Sequence, residues 1–267
     1  MRRLGRTVNY GFASSMSTAP LVRIAAACGA VLVAGIASPA RAAIVNLGDW
    51  AYGDSWSHVV EVGAPAYRVA AGAFKGSVKF AAGGEQGFSG TITNFVTYCV
   101  ELDQSFSMPS GNMSGYSVVA GADYGKWNGA GLSSNTAAAT SERLGQLLSY
   151  VGANPGLADD ASESTSLQLA IWNLIYDGDA SATSGVFRET SGSAYDGYAT
   201  QLLADAGGWS GVLDVYVLAK EGSQDFLLTR DGGRRLAPAD LRAVPEPATA
   251  LLAAVALGGV ALVRRRR

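Results

Sequence analysis

The chain has 267 residues, a formal charge of −2, 48% hydrophobic residues and only 16% charged ones. Nine arginines sit at its two ends, so the span from Ala43 to Pro247 holds 11 basic residues against all 22 acidic ones, a formal charge of −11. An acidic body disfavours nucleic acid and anionic membrane as partners, and two cysteines are too few for a disulfide framework.

The N-terminus carries Arg2, Arg3, Arg6 and Arg23, then an apolar run over 24–37, then Pro39-Ala40-Arg41-Ala42. A basic segment, a short apolar run and an A-x-A site predict a signal peptide over residues 1–42, cut by signal peptidase after Ala42. Either Met1 or Met16 can serve as the start. From Ala43 short apolar runs alternate with Gly/Ser turns. Strands are expected at Ala43–Leu47, His58–Val62, Tyr67–Ala71, Phe74–Phe80, Phe88–Thr93 and Phe95–Leu102. Ser105 to Asn135 reads as a long Gly-rich connection with one strand candidate, Tyr116–Ala120.

The period then changes. Leu144, Leu147, Leu148 and Val151 predict a helix over Thr140–Val151. Asp159-Asp160-Ala161-Ser162-Glu163-Ser164 offers N-caps and acidic charge for a second helix that runs to about Tyr176. A third is expected over Ala194–Ala206, followed by strands at Val212–Ala219 and Asp225–Thr229. The order predicts an α+β fold: a β-sandwich or barrel-like body, residues 43–230, with an inserted helical subdomain of about three helices. Residues 231–243 read as a linker.

The C-terminus, residues 244–267, reads Val244-Pro245-Glu246-Pro247, an apolar run from Ala248 to Val263, and Arg264 to Arg267. As a helix the run would span roughly 24 Å, short for a bilayer core, though terminal arginines can snorkel. The basic end places the tail on the cytoplasmic side and the body outside. The order Pro245-Glu246-Pro247, apolar helix, Arg264 and Arg265 closely resembles the PEP-CTERM sorting signal of Gram-negative bacteria. That resemblance implies a transient stay in the inner membrane, processing by an exosortase, and a setting of exopolysaccharide and biofilm.

If Cys28 leaves with the signal peptide, Cys99 is the only thiol left. Three readings compete for it: a buried thiol acting as a small hydrophobe, a catalytic thiolate partnered by His58, the only histidine, and a thiol cross-linked to a side-chain carbonyl. No family signature surrounds His58. Tyr98-Cys99-Val100-Glu101 and Leu167-Gln168-Leu169-Ala170-Ile171-Trp172, however, resemble the two motifs of bacterial surface thioester domains, with Leu167 where that family usually has Thr. The resemblance implies a bond between the Cys99 thiol and the Gln168 carboxamide, formed with loss of ammonia. It would serve a single covalent attachment to a nucleophile on a surface or matrix partner, rather than enzymatic turnover. Tyr98 and Trp172 would shield the bond from water. The alternative is a non-covalent, exopolysaccharide-associated matrix protein with Cys99 simply buried. Asp123, Asp159-Asp160 and Asp177-Gly178-Asp179 lack calcium-loop spacing, so neither a metal nor a cofactor is expected.

Overall fold

The computed structural model describes residues 42–53, 58–63, 66–131, 135–192, 194–233 and 236. The expected signal peptide, with Cys28, and the C-terminal sorting segment lie outside these residues. Among the described residues no helix is long and apolar enough to cross a membrane.

Among the described residues nine strands form two antiparallel sheets. In chain order they are β1 (Ala43–Gly53), β2 (His58–Val62), β3 (Ala66–Val69), β4 (Gly72–Lys79), β5 (Thr91–Thr97), β6 (Asn112–Ala120), β7 (Phe187–Glu189), β8 (Val215–Ala219) and β9 (Phe226–Thr229). The larger sheet has the order β5-β4-β1-β6-β8-β9, and the smaller has β3-β2-β7. Three helices among the same residues complete the α+β fold: α1 (Ala137–Ala153), α2 (Ala161–Tyr176) and α3 (Tyr195–Gly207).

The larger sheet curls until its two edges meet. Leu227 N–H donates to the Tyr98 carbonyl at 3.0 Å, Val100 N–H to the Asp225 carbonyl at 3.2 Å, and Val96 N–H to the Gly232 carbonyl at 3.0 Å. Cys99 and Phe226 form an antiparallel bridge at the same seam. Closure satisfies backbone groups that an open edge would leave unpaired. It also explains a difference from the pattern reading. Phe95–Leu102 is not one ladder strand: β5 ends at Thr97, and the Cys99 segment turns from its β4 neighbour towards β9. Residues 231–233 and Leu236 stay with the body through Gly232 and the buried Leu236.

The sheet tolerates this curl through close backbone approach. A Cβ on Gly76 would collide with the Asn46 carbonyl oxygen on β1, and neither backbone has room to yield. Gly76→Ala is expected to lower stability by about 3 kcal/mol, the upper end of overpacking costs. Urea denaturation measures it.

Helix α2 is the centre of the molecule. Every residue from Ser164 to Ile175 is buried, as expected for a helix covered on all sides. Its start is set by Asp160, whose side chain accepts from Glu163 N–H at 2.8 Å, while Glu163 accepts from Asp159 N–H at 3.0 Å. Its buried hydroxyls tie it to neighbouring strands. Ser164 Oγ accepts from Ala73 N–H and donates to the Tyr52 carbonyl, both at 3.0 Å, and Thr165 Oγ1 donates to the Ala71 carbonyl at 3.2 Å. Near its other end Arg143 donates to the Leu174 and Gly178 carbonyls at 3.3 and 2.9 Å, as a cation should at a helix C-terminus.

Candidate functional site

The seam and the central helix meet at Cys99 and Gln168. Cys99 N–H donates to Gln168 Oε1 at 3.0 Å, and Gln168 Nε2 donates to the Cys99 carbonyl at 2.9 Å. The carboxamide thus pairs with both backbone groups of one residue, like a rung of a ladder. It supplies a partner on the side of Cys99 that faces the helix, where no described strand reaches. Gln168 is 1% exposed and Cys99 7%. Burial pushes the Cys99 thiol well above its ordinary range, with the Glu101 charge adding to the rise. Both effects favour the thiol over the thiolate.

Tyr98, wholly buried, places its hydroxyl 3.2 Å from Ser164 Oγ. Trp172 follows Gln168 by four residues and so shares its face of α2. It is 2% exposed, and its indole N–H has no hydrogen-bond partner among the described residues. A cleft of about 700 Å3 opens over this group. Its lining includes Cys99, Trp172, Trp50, Phe106, Glu101 and Gln104. The structure thus brings together all four residues that the two motifs single out.

His58 is not in that lining. It is buried in the smaller sheet, with Nδ1 3.8 Å from Glu189 Oε1 and its ring beside Tyr195. The acidic stretches serve the backbone. Asp160 caps α2, Asp177 accepts from the Val186 and Phe187 amides, and Asp179 accepts from Ser181 N–H. Among the described residues no group of three His, Cys, Asp or Glu side chains is placed to hold a metal ion.

A charged cluster beside the seam is not visible as a motif. Lys126 donates to Glu101 Oε1, and to Asp225 Oδ2 at 2.9 Å. Tyr124 donates to Asp225 Oδ2 at 2.5 Å, and Asp225 N–H reaches Glu101 Oε2 at 3.3 Å. Asp225 is fully buried. Burial raises the Glu101 carboxyl, and the Asp225 charge raises it further, against the lowering effect of Lys126. The available signal was the acid two residues after Cys99. Its partners come from distant parts of the chain.

Residues 243–267 match the PEP-CTERM protein-sorting motif. The motif implies export, membrane-associated sorting and processing by an exosortase-type enzyme, and Pro245, Glu246, Pro247, Arg264 and Arg265 all fall inside it. No curated protein and no solved structure matches the chain. The likeness of the body to surface thioester domains is not supported by any relative and rests on its residues and their placement.

Proposed function

We propose that this PEP-CTERM protein displays, outside the cell, a domain that forms an internal thioester between Cys99 and Gln168 and uses it once for covalent attachment. The observation that carries the reading is the reciprocal pair of hydrogen bonds between the Gln168 carboxamide and the backbone N–H and C=O of Cys99. It holds the amide carbon beside the residue that bears the thiol, and proximity of this kind is worth several kcal/mol of barrier. Cys99 N–H also polarises the carbonyl that must accept the sulfur.

In the condensation, Sγ of Cys99 bonds to Cδ of Gln168 and the Cδ–Nε2 bond breaks. The thiol proton passes to the departing nitrogen, and ammonia leaves. An amine or hydroxyl on a surface or matrix partner then attacks Cδ, the C–S bond breaks, and Cys99 regains its thiol. Buried Tyr98 and Trp172 help exclude water, which would otherwise hydrolyse the acyl group.

Intact mass decides the matter. The wild-type chain is expected to weigh one ammonia less than its processed sequence, a deficit absent from Cys99→Ala. Methylamine should add covalently to the former alone. A full sequence mass for freshly prepared wild type ends the reading.

A second reading has its own support. Both hydrogen-bonding groups of the Gln168 carboxamide are used on backbone, as a purely structural glutamine would use them. In that case the body is a non-covalent matrix protein, associated with exopolysaccharide, and Cys99→Ala leaves its retention in the matrix unchanged.

A further inference from the structure

A buried thiol needs a proton acceptor before it can attack an amide, and the described lining of the cleft over Cys99 contains no histidine. Its titratable lining besides Cys99 is Arg68, Glu101 and Asp103. Arg68 is cationic and cannot accept a proton. Asp103 is exposed to solvent, where hydration of the carboxylate competes with proton capture from a buried thiol. Glu101 is buried, follows Cys99 by two residues, and lines both this cleft and the neighbouring one of about 430 Å3 that holds Tyr124, Lys126 and Tyr176.

We propose that Glu101 is the proton-transfer group of this site. This inference rests on the thioester reading above. During formation the Glu101 carboxylate takes the proton from Cys99 Sγ–H as Sγ bonds to Cδ of Gln168, and returns it to Nε2 as the C–N bond breaks and ammonia leaves. During attachment Glu101 takes a proton from the attacking amine or hydroxyl and returns it to the Cys99 thiolate as the C–S bond breaks. Each step leaves Glu101 as it began.

The surroundings suit that task. Two buried carboxylates, Glu101 and Asp225, share one ammonium, Lys126. One carboxylate is thereby left short of compensating charge, which favours holding a proton. Besides Lys126, Asp225 takes two hydrogen bonds, from Tyr124 and Lys220 N–H, whereas Glu101 takes one, from Asp225 N–H, so Glu101 is the less compensated of the two. Lys126 and Tyr124 face Glu101 from the segment after β6, Asp225 from the residue before β9, and Asp103, Tyr176 and Tyr116 complete the titratable groups around it. Lys126 acts as a positioning residue, because it sets the charge Glu101 feels without touching the reacting atoms.

The test uses the full chain and hydroxylamine over a scan from weakly acidic to weakly alkaline pH, with every rate divided by the concentration of unprotonated hydroxylamine, because the reagent itself loses a proton in the weakly acidic range. Wild type should lose its thioester at a rate that climbs as Glu101 deprotonates and then levels. Glu101→Gln should form the thioester more slowly after synthesis, by intact mass. It should also react with hydroxylamine about 100-fold more slowly, with the climb abolished. Lys126→Ala removes the cation that favours the carboxylate, so its climb should move to higher pH. Wild-type rates and an unchanged pH profile in Glu101→Gln overturn the proposal while leaving the thioester reading intact. If Glu101→Gln does not fold, an unmoved profile in Lys126→Ala overturns it instead. A wild-type chain without the ammonia deficit overturns both.

Discussion

Gln168→Glu is expected to abolish covalent uptake of methylamine and to restore the full sequence mass, while keeping the size of the side chain. The carboxylate has no amine to lose and, once ionised, is a poor acceptor for sulfur. The same change should destabilise the fold in a pH-dependent way. In the wild type Gln168 Nε2 donates to the Cys99 carbonyl at 2.9 Å, and an ionised carboxylate in its place would face that oxygen with no proton between them. Leaving such a buried acceptor unmet costs about 1–3 kcal/mol. Burial at position 168, 1% exposed in the wild type, raises a carboxyl above its unfolded value of about 4.3. A raised folded value means that the folded state binds the proton more tightly. The stability this contributes is fully present below about pH 4.3 and is lost as pH rises through the folded value. Urea midpoints for Gln168→Glu should therefore fall, relative to wild type, from acid towards neutral pH. A variant that matched wild type in mass deficit and methylamine uptake would remove Gln168 from the reaction.

Asp225→Ala should cost about 3 kcal/mol, the low end for breaking a buried ion pair, because the Lys126 side chain is 46% exposed and can be solvated on one side. Asp225 has no exposed surface and takes hydrogen bonds from Tyr124, Lys126 and Lys220 N–H. It also stands one residue before Phe226, the bridge partner of Cys99, so its loss slackens the seam where the sheet closes. Lys126 keeps its ion pair with Glu101 when Asp225 is removed, so Lys126→Met should cost less in the Asp225→Ala background than in wild type, by the share of the loss that the two side chains hold in common. A thermal or urea series of the two single variants and the double variant measures that coupling. Strict additivity would show that the two side chains do not act on each other.

Much of the secondary structure was legible because it follows local rules. β2 matches His58–Val62, and the α2 end at Tyr176 is as expected from its apolar spacing and the turn that follows. The cap at Asp160 was one of several acids in a row. Other elements were not legible for physical reasons. β7, Phe187–Glu189, has three residues and no period to detect; it exists because β2 offers it a partner edge. β1 runs on past Leu47 to Gly53 through bulges that disrupt the alternation on which a strand is recognised. Asn94, at positive φ, lies between the two expected strands, Phe88–Thr93 and Phe95–Leu102; β5 runs through it from Thr91 to Thr97, and it forms the bulge opposite Gly76 and Ser77.

By itself the sequence determined the C-terminal sorting motif and the α+β order. Sorting signals and helix caps are contiguous and are read by local charge and hydropathy. Only the tertiary structure decided that Cys99 and Gln168 share two hydrogen bonds, that His58 lies in another sheet, and that Glu101 belongs to a cluster with Lys126 and Asp225. The reason is separation along the chain. The pair is joined across 69 residues and the Asp225–Glu101 contact across 124. Such contacts follow from how the sheet curls onto its own edge around α2, and no local spacing records that closure.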